Sequence, residues 1–331
     1  MKKNKLVAVV TGGAGFIGSH MVDLLIKKGF EVRIIDNLSG GHEKNISHLK
    51  NEKKLKFEKM DICNIKNNNK TFKDVKYVFH FAGIGDIVPS IERPSKYLLT
   101  NVQGTVNVLE ASRYQNVKKL VYAASSSCYG LATTPTRETH PISPQYPYAL
   151  SKYMGEQAVL HWHKVYKLSA DSIRIFNAYG PRVRTTGAYG AVFGVFLKQR
   201  LEKKALTVVG NGRQKRDFIY VTDVAESFFH VAKTNTSGQI YNVGAGNPQS
   251  INKLVKIIGG EVLHLPKRPG EPDCTWADIS KIKRLTSWRP KIKFEDGVAN
   301  MIAEIENWKD APLWNKKNIR EATKTWFKYI S

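Results

Sequence analysis

A chain of 331 residues with 42% hydrophobic and 24% charged side chains can bury a full core unaided, which excludes a disordered or disulfide-stapled class. Its formal charge of +24 attracts anions without choosing among nucleic acid, acidic membrane and phosphorylated small molecules. The basic residues are spread along the chain and no nucleic-acid motif accompanies them, so no nucleic-acid partner is expected.

Residues 6–10 are apolar and largely β-branched, which predicts a buried strand. A glycine-rich turn follows, then a helical pattern over 16–28 that stops at Gly29, then a second strand over 32–36. This βαβ unit implies a right-handed crossover. Further strands are predicted at 55–59, 75–81, 120–124 and 170–176, and helices at 97–114 and 148–166. The repeated rhythm predicts an α/β fold, a doubly wound parallel (Rossmann) sheet. After Gly180-Pro181 glycine and proline become frequent, at 187–194, 210–212 and 266–272. That predicts a smaller, loop-rich substrate domain interleaved with the first. Residues 1–180, with a returning segment near 217–248, form the dinucleotide domain; 181–216 and 249–331 form the other. The stretch 319–330 places Ile319, Ala322, Trp326, Phe327 and Ile330 on one helical face, read as docking on the protein's own body.

The N-terminus begins like a secretory signal, but residues 6–10 are too short for its apolar core, and no run reaches membrane-spanning length. Cys63, Cys128 and Cys274 are far apart and form no metal or disulfide pattern, so a reducing, cytoplasmic setting is expected. His161 and His163 point in different directions on a helix and read as surface or packing residues, with no metal expected.

Gly12, Gly13, Gly15 and Gly18 satisfy both GxGxxG and GxxGxxG between a predicted strand and a predicted helix. Glycines let the backbone approach a pyrophosphate, and the helix N-terminus, here Phe16 and Ile17, offers it free N–H groups. Asp36 ends the second strand, where a carboxylate accepts from adenosine ribose hydroxyls and repels a 2′-phosphate. With Asn37 beside it, this favours NAD over NADP.

Tyr148 and Lys152 lie four residues apart on a predicted helix, so they share one face. A phenol titrates near 10, and a neighbouring ammonium with a positive nicotinamide ring favours the phenolate. Lowering that value by roughly three units needs about 4 kcal/mol. Upstream, Ser125, Ser126 and Ser127 follow a strand, and a strand-end hydroxyl can hydrogen-bond the substrate oxygen that Tyr148 deprotonates.

Over nearly its whole length the chain resembles the extended short-chain dehydrogenases/reductases that act on nucleotide sugars. The resemblance rests on Thr11-Gly12-Gly13-Ala14-Gly15-Phe16-Ile17-Gly18, Asp36-Asn37-Leu38, Asn101-Val102-Gln103-Gly104-Thr105, and Tyr148-Ala149-Leu150-Ser151-Lys152. It rests also on Arg174-Ile175-Phe176-Asn177-Ala178-Tyr179-Gly180-Pro181 and Arg216-Asp217-Phe218-Ile219-Tyr220-Val221-Thr222-Asp223-Val224. It implies an NAD cofactor, with Asp61 and Ile62 bordering the adenine and Phe81, Ala82 and Gly83 forming the cofactor wall. Asn101 and Phe176 are implied as further cofactor residues, and Lys152 as a holder of the nicotinamide ribose. Ser125 takes the place of the catalytic Ser/Thr. Asn177, Arg216 and Arg268 resemble ligands of the diphosphate and ribose, Ser126 a substrate contact, and Glu271 replaces an Asp common near the nucleotide ribose. In relatives, helices like 97–114 and 148–166 pair into a four-helix dimer interface, which implies a homodimer.

The departures narrow the reaction. Family 4,6-dehydratases carry an Asp-Glu pair after the catalytic Thr, and decarboxylases keep a Glu; here Ser126 and Ser127 stand instead. The serine turn resembles the C4-epimerase branch, which works through a transient 4-keto sugar. Residues 84–90, expected as a substrate-side loop, and the tail beyond Trp308 are unlike the best-known UDP-hexose epimerases and leave room for another base or sugar, including a heptose or a uronate. Thr275 aligns with a position that restricts bulky sugars in some relatives, and a modest side chain there implies a roomier pocket. The rival readings are a sugar 4-dehydrogenase releasing a keto product, possibly from a GDP-sugar, and a non-catalytic NAD-binding protein.

Overall fold

The computed structural model of the protein describes residues 6–183 and 192–330; part of the predicted 187–194 loop lies outside them. Strand β1 (Val7–Thr11) is buried at every position, as an apolar run must be in a sheet covered on both faces. It is followed by α1 (Phe16–Lys27), β2 (Glu31–Asp36), β3 (Leu55–Lys59) and β4 (Tyr77–His80). Next come α2 (Ile87–Glu92), α3 (Pro94–Leu98), a π-helical turn at Leu99–Gln103, and α4 (Gly104–Tyr114). Strand β5 (Lys119–Ser125), helix α5 (Pro147–Tyr166) and β6 (Ala170–Ile175) complete the expected alternation.

The rest of the chain contributes β7 (Asn177–Tyr179), α6 (Val192–Leu201), β8 (Leu206–Val209), β9 (Lys215–Arg216), β10 (Phe218–Tyr220), α7 (Val221–Ala232) and β11 (Ile240–Val243). Then follow β12 (Gln249–Ser250), α8 (Ile251–Ile258), β13 (Val262–Leu265), α9 (Ser280–Thr286), α10 (Phe294–Ala303) and α11 (Lys316–Tyr329).

Seven parallel strands form one sheet in the order β3-β2-β1-β4-β5-β6-β11. The order reverses between β1 and β4, so a crevice opens there at the carboxyl ends of the strands. Helices α1 and α7 pack on one face over Val10, Ile34 and Phe79, and α4 and α5 on the other over Val9, Val78 and Leu120. Each such apolar side chain, fully withdrawn from water, contributes roughly 1.5–3 kcal/mol. A third apolar cluster, built on Phe193, Phe218, Phe294, Met301 and Trp308, underlies the strands and helices that follow β7.

Two elements differ from the sequence-based expectation. The helix expected over 97–114 is interrupted by the π turn at Leu99–Gln103, a feature that often marks functional sites. Asn101 lies within this turn, and Gly104 after it packs where a Cβ would strike the Ile62 side chain. The substrate-side segment 84–90 is not all loop, since Ile87 onwards is helix α2.

Candidate active site

The glycine turn is shaped by close approach. Gly12 has φ +71, and a Cβ on it would lie 2.7 Å from the Ala82 nitrogen; a Cβ on Gly18 would fall onto the Gly12 carbonyl. Helix α1 begins at Phe16 without a side-chain cap and without an acidic residue in its first turn, so its N-terminus is left to an anion.

These residues line a cavity of about 780 Å³. Gly12, Gly15, Phe16, Ile17 and Gly18 form its floor, and Asp36, Asn37, Asp61 and Ile62 lie along one end. Phe81, Ala82, Gly83 and Phe176 line it too, as do Ser125, Tyr148 and Lys152. Asp36 is held in place by the Ala14 N–H (2.9 Å) and the Leu38 N–H (2.8 Å). Asn37 donates to Asp61 at 2.7 Å, fixing the wall at that end. Arg33, by contrast, turns away to Glu31 and to the Thr71 and Lys73 carbonyls, so it offers no cation beside Asp36.

Asn101 is the one cofactor residue of the sequence reading that stands behind the cavity wall instead of lining it. Fully buried, its Oδ1 accepts from the Ile84 N–H at 2.8 Å, and its Nδ2 donates to the Ile84 carbonyl (3.0 Å) and to Ser151 Oγ (2.9 Å). Ser151 in turn donates to the Tyr148 carbonyl at 2.8 Å. Asn101 therefore ties the loop after Gly83 to the catalytic helix.

Helix α5 starts with Pro147 in its first turn, which fixes φ where no N–H is needed, and presents Tyr148, Lys152 and Glu156 at successive turns. Ser125 ends β5, and its Oγ lies 2.8 Å from Ser127 Oγ. Burial pushes the Tyr148 phenol above its ordinary value, while the adjacent Ser125 hydroxyl pulls it down. Burial lowers the Lys152 ammonium to about 7, with the Glu156 carboxylate opposing. Among the protein's own groups burial is the largest influence on the phenol, which leaves the positive nicotinamide ring of the sequence reading as the second charge that favours the phenolate.

Glu156 was not foreseen. It receives the Arg174 guanidinium (Nη2 at 2.6 Å) and the Ser172 hydroxyl (2.9 Å), all deeply buried. Its spacing of four from Lys152 was a legible signal, since it repeats the interval from Tyr148 to Lys152.

The expected substrate residues gather outside the cavity. Asn177 opens β7 and accepts from the Thr275 hydroxyl at 2.7 Å, so the position thought to gate the sugar is tied to it. Arg216 donates to the Pro272 carbonyl at 2.8 Å, and Arg268 pairs with Glu271 at 3.3 Å. Burial holds the Arg216 guanidinium below its ordinary value, with Glu271 opposing and Arg268 adding to the fall. Ser126 is half-buried at the start of the turn after β5. Tyr146 joins the two groups: its ring stacks on Tyr148 (centroids 6.3 Å, 8°) and meets Trp326 at 6.0 Å. Both aromatics were missed, although Trp326 was placed on the apolar face of the last helix.

A parallel sheet in this order, a glycine turn at its switch point and a Ser/Tyr/Lys set at its carboxyl edge define a dinucleotide-dependent enzyme of the short-chain dehydrogenase/reductase class. Residues 8–244 match the model of the NAD dependent epimerase/dehydratase family, and the chain belongs to that family. It is 36% identical over 308 residues, 90% of this chain and 98% of the relative, to a putative UDP-glucose 4-epimerase of Methanocaldococcus jannaschii. Among solved structures it is similar to a UDP-N-acetylglucosamine 4-epimerase of Methanobrevibacter ruminantium in complex with UDP-N-acetylmuramic acid (TM-score 0.85, 33% identity, 91% of this chain and 99% of that one). It is also similar to a UDP-glucuronic acid 4-epimerase of Bacillus cereus bound to UDP-glucuronic acid and NAD (TM-score 0.84, 31% identity, 91% and 99%).

Proposed function

We propose that the chain is an NAD-dependent nucleotide-sugar 4-epimerase, with a UDP-sugar as substrate. The observation that carries this reading is the turn after β5. Ser125 stands beside Tyr148, and Ser127 contributes a second hydroxyl 2.8 Å from it where elimination chemistry uses carboxylates. A hydroxyl pair can orient a sugar oxygen, but it cannot act as the acid and base of a dehydration.

Gly12, Gly15 and Gly18 would hold the pyrophosphate of NAD and Asp36 its adenosine ribose. Lys152 would hold the nicotinamide ribose. When bound, the oxidised cofactor supplies a positive charge beside the phenol and a reversible acceptor for the C4 hydride. Tyr148 takes the C4 hydroxyl proton while Ser125 donates a hydrogen bond to the same oxygen. Arg216 and Arg268 grip the diphosphate, an anchor about which the 4-keto sugar turns its other face to the reaction centre. Tyr148 then returns the proton to the inverted alkoxide.

The exposed side chains Leu150 and Met154 on α5 and Tyr114 on α4 support a homodimer built on these helices; light scattering that finds only monomer would refute it. A cytoplasmic location is part of this reading. No helix among the described residues is long and apolar enough to cross a membrane.

Purified protein is incubated with UDP-glucose, UDP-N-acetylglucosamine, UDP-glucuronate and GDP-mannose. C4 configuration is followed by NMR and reduced nicotinamide by absorbance. Inversion of a UDP-sugar without accumulating reduced cofactor is the expected result. A released keto sugar with stoichiometric reduced cofactor would make the protein a dehydrogenase instead.

A further inference from the structure

The C-terminal helix α11 is not a detached tail. Its face bearing Ile319, Thr323 and Trp326 is buried, and Thr325 Oγ1 donates to Glu92 on α2 at 3.2 Å. Trp326 is only 4% exposed, and its indole N–H donates to the Pro269 carbonyl at 2.9 Å. Pro269 immediately follows Arg268, whose guanidinium lies over the Trp326 ring, 5.7 Å from its centroid. The ring also meets Tyr146 at 6.0 Å, and Tyr146 stacks on Tyr148. Gly270, at φ +68, lets the loop pass under the end of the helix, because a Cβ there would lie 2.9 Å from Ile330. One indole therefore touches the segment that carries Arg268 and the residue that backs the catalytic tyrosine.

We propose that Trp326 is a positioning residue for nucleotide-sugar binding, holding Arg268 toward the diphosphate. The proposal rests on the reading of Arg216 and Arg268 as diphosphate ligands. An arginine side chain has many rotamers, and fixing it before the ligand arrives removes an ordering cost from binding. An indole does this in two ways, through its face toward the guanidinium and through the hydrogen bond that fixes the following backbone. A second guanidinium nearby, that of Arg216, opposes Arg268 by like charge. The Glu271 carboxylate, 3.3 Å from Arg268, offsets that repulsion, and the indole adds a fixed wall on which the guanidinium rests. Trp326 is not among the residues that line the cavity of the glycine turn, so the cofactor should bind independently of it.

The test compares the wild-type protein with Trp326→Phe and Trp326→Leu. UDP and NAD are titrated separately by calorimetry, and kcat and KM are measured for whichever UDP-sugar the wild type turns over. Trp326→Leu keeps apolar bulk but removes the ring face. It should weaken UDP binding and raise KM roughly tenfold, with kcat changed less than about threefold and NAD affinity unchanged. Trp326→Phe keeps a ring and should recover most of the UDP affinity. Wild-type UDP affinity in Trp326→Leu would overturn the proposal. So would a parallel loss of NAD affinity, kcat and melting temperature, or a failure of either variant to fold, because the indole would then be structural. If the wild type itself binds no UDP or UDP-sugar, the reading of the arginines fails first, and separately.

Discussion

Asn101 grips both polar atoms of the Ile84 peptide, accepting from its N–H at 2.8 Å and donating to its carbonyl at 3.0 Å. The same amide reaches Ser151, and through it the backbone of Tyr148. Asn101→Asp keeps the acceptor and loses both donations. Leaving such a buried pair unmade costs about 1–3 kcal/mol. The variant should melt at lower temperature, bind NAD about tenfold more weakly and turn over more slowly. Wild-type NAD affinity and kcat would show that the clamp is not coupled to the site.

Glu156 serves two cations, as the direct partner of Arg174 and as the carboxylate that favours the Lys152 ammonium. Glu156→Gln leaves a buried guanidinium without its counter-charge, a loss of about 3–5 kcal/mol by denaturant unfolding. It also removes the group that raises the Lys152 pKa. If the ammonium is the active form, activity falls as pH rises through that pKa, and the alkaline limb of kcat moves to lower pH in the variant. A limb that stays in place would mean that Lys152 does not govern it.

His80 lies in a directed chain. The Thr11 hydroxyl sits 2.6 Å from its Nδ1, and its Nε2 sits 3.0 Å from the Thr105 hydroxyl, which donates to the Asn101 carbonyl at 2.7 Å. Thr105 has spent its proton, so Nε2 carries the ring hydrogen. Burial lowers the His80 pKa to about 3 from 6.5. The unfolded chain therefore binds a proton in that window that the folded protein refuses. The resulting stability is complete above the unfolded value and is lost as pH falls toward the folded one. Between pH ~7 and ~4.5 the wild type should lose about 2–3 kcal/mol more than His80→Asn. His20, lowered to about 4, has the same sign but is common to both proteins, so the difference isolates His80. Equal slopes would refute the assignment.

Much of this was legible in the sequence because it is local. Apolar runs and a strict β-then-α rhythm gave the sheet, and the spacing of Gly12, Gly15 and Gly18 gave the turn at its switch point. Tyr148 and Lys152 could be paired because helical geometry alone puts them on one face. What was hidden depends on tertiary packing. Nothing local says that the helix through Asn101 widens into a π turn, or that its side-chain amide bonds to Ile84. The meeting of Trp326 with Arg268 brings together residues separated by a long stretch of chain.

Asp36 keeps its carboxylate in the cavity wall, while Arg33 is committed elsewhere. Asp36→Ser should relieve repulsion of a 2′-phosphate and lower the preference for NAD over NADP at least about tenfold, judged by competitive cofactor titration. An unchanged preference would place the discrimination on another residue.

The account stands or falls on the phenol of Tyr148 as the proton acceptor. Tyr148→Phe removes one oxygen and preserves the ring. With a saturating UDP-sugar, single-turnover inversion at C4 should slow by about 10³-fold, while NAD affinity stays within about threefold of wild type. Inversion at the wild-type rate by a folded, NAD-loaded Tyr148→Phe protein would contradict it.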